Sequence, residues 1–142
     1  MAEQTQQRPV YRNIHVTQIV TYRLPIAGIV SILHRVSGAV LFLLLPFVIW
    51  LLDVSLGSEI SYERFTNTFV AGIGWVPAWL VKLVVLGLIW AYLHHAVAGL
   101  RHLWMDVTHS VSMQQSDLSA KATLGVSLVL TVLLGAKLFG LY

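Results

Sequence analysis

Cysteine is absent from the chain. That excludes disulfides, thiolate metal sites, iron–sulfur clusters ligated by this chain and covalent c-type haem attachment, so any metal must be held through nitrogen or oxygen. Charge is nearly as scarce. Asp, Glu, Lys and Arg make up 11% of the 142 residues, against about 25% in an ordinary soluble domain. The nine Lys and Arg residues stand singly and form no basic block, so no nucleic-acid partner is expected despite the net charge of +3. The first fourteen residues, MAEQTQQRPVYRNI, lack the apolar core of a secretory signal and the Arg/Ser-rich, acid-poor pattern of a transit peptide. A bacterial inner-membrane protein is therefore expected ahead of an imported organellar precursor.

What is there is strongly apolar: 57% of residues are hydrophobic and the mean hydropathy is +0.77. Three stretches, at about 25–52, 79–103 and 120–141, reach the roughly 20 residues that a helix needs to cross the hydrocarbon core. Helices are required because lipid offers no partner to a strand's backbone, and these runs lack a barrel strand's alternation. The expected fold is an all-α integral membrane bundle of three transmembrane helices, with residues 1–142 as a single membrane-anchor domain. Pro25 and Pro77 stand near the first two helix starts, where a missing N–H is tolerated, and Pro46 should kink the first span. Ser116, Asp117 and Ser119 are plausible caps for the third.

Six basic residues (Arg8, Arg12, Arg23, Arg35, Arg101 and Lys121) fall on the side of the N-terminal tail and the 104–119 loop, against Arg64, Lys82 and Lys137 opposite. The positive-inside rule then puts the N-terminus in the cytoplasm and the C-terminus in the periplasm. The 53–78 loop, with Gly72, Gly74, Trp75, Pro77 and Trp79, reads as a short interfacial segment with aromatic anchors.

Against this background the stretch "HHAVAGLRHLWMD", residues 94–106, stands out. Ionisable groups at membrane depth are expensive and mark function by default. His95 and His102 are seven apart, so they point nearly the same way with ~10.5 Å between them along the axis. They cannot share one bare metal ion, and the i, i+4 histidine pair of a helical zinc site is missing. The spacing suits a large flat ligand lying along the helix, with His95 at its centre and Arg101 and His102 at a charged edge. Haem b has that form: an iron taking an axial imidazole, a broad apolar ring and propionates seeking cationic partners. Gly99, one turn beyond His95, would let such a ring approach the backbone. His94, rotated by about 100°, reads as a bystander. The bland alternative is a set of interfacial histidines bonded to neighbouring helices or headgroups. On the first helix, Ser31, His34, Arg35 and Gly38 make a small polar face. Its permanently charged arginine needs an anion or a polar oxygen, which propionate, lipid phosphate or a quinone carbonyl would each supply.

Three segments, in order, resemble the cytochrome b membrane-anchor subunit of succinate dehydrogenase, respiratory complex II: RP at 8–9, "SILHRVSG" at 31–38 and "HAVAGLRHLWMD" at 95–106. The resemblance implies a haem b shared with a second small three-helix anchor subunit that supplies the other axial ligand. It also implies docking of an iron–sulfur subunit and a flavoprotein subunit, and a ubiquinone site. By position, His95 is implied as this chain's axial ligand to the haem iron. Ser31 and Arg35 are implied at the quinone, and His34 and His102 near the propionates, beside the Arg101 that spacing put at that edge. Asp106 is implied near the quinone end, where it would belong to a proton path. Two other readings stay open: a haem-free or fumarate-reductase-type docking anchor, and a self-contained cytochrome b with His34 as the opposing ligand. The latter needs His34 and His95 at one depth, whereas the sequence puts His34 closer to the cytoplasmic boundary.

Overall fold

The computed structural model describes residues 13, 15–109 and 112–142 of the chain. Arg8, Pro9 and Arg12, which entered the charge count and the family resemblance, lie outside them. Among the described residues six helices form: α1 (Val16–Thr21), α2 (Ile26–Leu43), α3 (Leu45–Leu56), α4 (Glu59–Thr68), α5 (Ala78–Thr108) and α6 (Met113–Leu138). Three of them, α2, α5 and α6, are long and apolar enough to span a membrane. No strand forms among the described residues, only an isolated bridge between Ile73 and Val76.

Pro46 does more than kink the first apolar run. Helix α2 closes at Leu44 (φ −92°, ψ 3°), and α3 restarts with the proline in its first turn, where the missing N–H leaves no gap in a hydrogen-bond ladder. The expected first span of about 25–52 is thus an 18-residue helix followed by a separate 12-residue one. The other two spans run longer than hydropathy indicates. Helix α5 carries its polar end through Asp106 to Thr108, and α6 begins at Met113, capped by Ser112 through the Gln115 N–H rather than by Ser116, Asp117 or Ser119. Hydropathy reports where lipid ends, and a helix can continue past that plane into water. The turn between them uses His109 in the left-handed region at φ 52°, a conformation that histidine enters more easily than β-branched residues do.

The 53–78 segment is largely helical. Ser58 and Ser61 cap each other's backbone N–H groups and start α4. Gly72 (φ +96°) turns the chain where any side chain would collide with the Val76 carbonyl, and Trp75 and Trp79 are exposed beyond it.

Helix α5 is the centre of the bundle, with α2 and α6 packed on it and on each other. The tightest apolar packing joins Val30, Ala98 and Ala120, one residue from each spanning helix. Small side chains there let backbones approach in a setting where lipid is as apolar as the core. The interior is correspondingly polar: Ser37, His94, Arg101, Thr123 and Ser127 are buried, while most large hydrophobics point outward.

Candidate functional site

His95 stands midway along α5 and faces α2. Its Nδ1 is 3.0 Å from the backbone carbonyl of His34 and 3.3 Å from Ser37 Oγ. A carbonyl only accepts, so Nδ1 carries the hydrogen and donates it, leaving a lone pair on Nε2. Ser37 spends its own hydrogen on the same carbonyl at 2.9 Å. Gly38 makes the approach possible, because a Cβ there would lie 2.9 Å from His95 Cε1.

The imidazole of His34 stacks on that of His95, with centroids 4.1 Å apart and planes 15° from parallel. His102 closes the group at 5.2 Å from His34. All three rings are half-buried. One turn beyond His95 on α5, Gly99 presents no side chain to the cluster; an added Cβ there would make an ordinary contact with His34 Nε2 at 3.7 Å. The stacking corrects the relative depths expected from sequence: His34 and His95 occupy one level. It also removes the premise used against a self-contained site, but supplies a better objection. Opposing axial ligands approach a macrocycle from opposite faces, and these rings lie against each other with no room between them.

Arg101 is not part of this cluster. It is 8% exposed and turns toward α6, where Nε donates to Ser119 Oγ at 2.9 Å and Nη2 to both Ser116 O and Ser116 Oγ at 3.1 Å. The sequence put Arg101 beside His102 at one charged edge; a step of 100° per residue instead sends the two side chains to different neighbours. Ser31 is half-buried, Arg35 exposed and Asp106 exposed, and none of the three makes a side-chain hydrogen bond or ion pair among the described residues.

Sequence reasoning passed over His94. It is completely buried, stacked on Trp90 with centroids 5.5 Å apart, and its Nδ1 lies 3.3 Å from Ser127 Oγ on α6. Its Nε2 has no hydrogen-bond partner among the described residues. His94 and Arg101 are seven residues apart and so share a face of α5, the one turned to α6. That spacing was the available signal.

The sequence matches the family described as succinate dehydrogenase/fumarate reductase transmembrane subunit over residues 4–134. The chain belongs to that family. It is similar to the succinate dehydrogenase cytochrome b556 subunit of Coxiella burnetii, at 35% identity over 128 residues, 90% of this chain and 94% of that protein. It is also similar to the subunit of the same name from Paracoccus denitrificans, at 33% identity over 112 residues, 79% of this chain and 81% of the other. With the cytochrome b560 subunit of Reclinomonas americana the identity is 28% over 112 residues, 79% of this chain and 76% of that one. The resemblance read from "SILHRVSG" and "HAVAGLRHLWMD" is borne out at the level of the family and its cytochrome b membrane subunits, as is an all-helical membrane fold with three candidate spans.

Proposed function

We propose that this subunit is the haem-carrying membrane anchor of a succinate:quinone oxidoreductase. With a second small anchor subunit it holds one haem b, docks the iron–sulfur and flavoprotein subunits, and completes a ubiquinone-reduction site. The observation that carries the reading is the hydrogen bond from His95 Nδ1 to the His34 carbonyl. Iron-ligating histidines commonly donate their other ring N–H to a backbone carbonyl, which fixes the tautomer and the ring's aim. The half-buried rings of His34 and His102 and the side-chain-free surface of Gly99 fit a flat macrocycle with anionic edges. When bound, the haem supplies a one-electron carrier within the membrane.

The remaining roles belong to the protein. His95 would hold the haem iron from this chain, and a second chain would supply the other ligand. His34 and His102 offer ring N–H groups to the propionates, while Arg101 is committed to α6. Ser31 and Arg35 lie one helical turn apart within the first ten residues of α2, and the exposed guanidinium is free to donate to a quinone carbonyl. Asp106, exposed near the end of α5, would exchange protons with water on a path toward that site. The excess of basic residues at this end supports placing it in the cytoplasm of a bacterium, with the C-terminus in the periplasm.

The test is a reduced-minus-oxidised spectrum of the intact purified complex. A b-type α band that disappears in the assembled His95→Ala complex is expected. Assembled wild-type complex without that band would leave a docking anchor as the reading.

A further inference from the structure

Arg101 carries a charge that no acidic side chain among the described residues neutralises. Its three hydrogen bonds go to neutral oxygens, and the one ion pair among the described residues joins Lys121 to Asp117. Its Nη1 makes no hydrogen bond among those residues and is not among the buried orphan atoms. A buried cation at a membrane boundary calls for an anion from outside the chain.

The space beside it has a lipid's shape. A groove of about 570 Å³ between α5 and α6 is lined by Arg101 and Ser119 together with apolar side chains such as Val97, Leu100, Trp104 and Val126. A second groove of about 410 Å³ continues it along α6 to Leu130, and a third of about 340 Å³ opens on the other flank of Trp104. Ala122 lines all three. From Ser119 to Leu130 the trough is ~16 Å long at 1.5 Å per residue, close to half of a hydrocarbon core of about 30 Å. That is one leaflet.

The trough also faces away from the haem cluster. Val97, Leu100 and Trp104 are turned by roughly 140° to 200° from His95 around α5. A partner anchor seated on the His95 face alone would leave this side to lipid, a step that rests on the function proposed above. We propose that the α5–α6 trough binds an anionic phospholipid, its phosphate on Arg101 and its acyl chains in the grooves on either side of Trp104.

The test uses the intact complex, purified in mild detergent and washed, with bound lipid identified by native mass spectrometry. Wild-type complex is expected to retain an anionic phospholipid and to lose phosphatidylethanolamine. Ala122→Phe, which fills the trough from an exposed position and leaves the Arg101 bonds intact, should lower retention at least severalfold. Arg101→Gln should do the same if the complex assembles. Washed wild-type complex should regain thermal stability in phosphatidylcholine vesicles containing phosphatidylglycerol, and not in phosphatidylcholine alone or with added inorganic phosphate. Equal retention by Ala122→Phe, equal retention of both lipid classes, or a photo-crosslink from position 126 to a protein would overturn the proposal. The haem band, recorded on the same samples, reports separately on the function proposed above.

Discussion

The imidazoles of His34 and His95 lie face to face, 4.1 Å between centroids, although 61 residues separate them in the chain. The contact exists because α2 offers His95 a carbonyl, a serine and a glycine within a span of five residues. The ring proposed as the haem ligand is thus aimed by backbone and small side chains, none of which competes for its free nitrogen.

Substitution of His95 and His94 should separate the proposed ligand from a packing residue. His95→Ala should abolish the α band in assembled complex. His94→Ala should keep the band and lower the unfolding temperature, reflecting about 1–3 kcal/mol from a lost hydrogen bond and the cavity left beside Trp90. Absorption spectra and thermal melts of both variants check this, and loss of the band in His94→Ala alone would exchange the assignments.

The two glycines of the site should respond differently. Gly38→Ala sets a methyl 2.9 Å from His95 Cε1, so the ring must shift and haem per assembled complex should fall severalfold. At Gly99 the nearest atom of the chain would be 3.7 Å away, an ordinary contact, and the variant should fold unhindered. Haem lost from a fully assembled Gly99→Ala complex would locate the porphyrin against that surface, whereas full retention would move it elsewhere.

Arg35 should act on quinone and not on succinate. Arg35→Leu is expected to depress quinone reduction at least tenfold while succinate oxidation with a soluble acceptor is retained. Equal losses in the two assays would point to failed assembly.

Arg101→Leu should loosen α5 from α6. Hydrogen bonds to a charged donor contribute about 1.5–3 kcal/mol each, though a membrane reference state lowers such values. A drop in unfolding temperature with an unchanged haem band position is expected. A shifted band would return Arg101 to the cofactor's edge.

Much of this was legible in the chain. Uninterrupted apolar runs located the three spans, and the seven-residue interval from His95 to His102 put both on one face. What escaped was of two kinds. Hydropathy marks lipid contact, so it missed α4 and the polar ends of α5 and α6, although Ser58 and Ser61 had the spacing of a cap. One helix's phase says nothing of its neighbours: Arg101 and His94 were read against a ligand, and only the packing of α6 shows Ser116, Ser119 and Ser127 receiving them.

Besides Arg101, α5 is tied to the C-cap of α6 through Lys82, whose ammonium sits 5.7 Å from the ring centroid of Phe139. The two ties are nineteen residues apart on α5, or ~28 Å at 1.5 Å per residue, nearly the thickness of the hydrocarbon core. Antiparallel helices fastened near both surfaces resist sliding past each other, so hydrophobic mismatch is expected to be met by tilting the whole bundle or deforming the surrounding lipid.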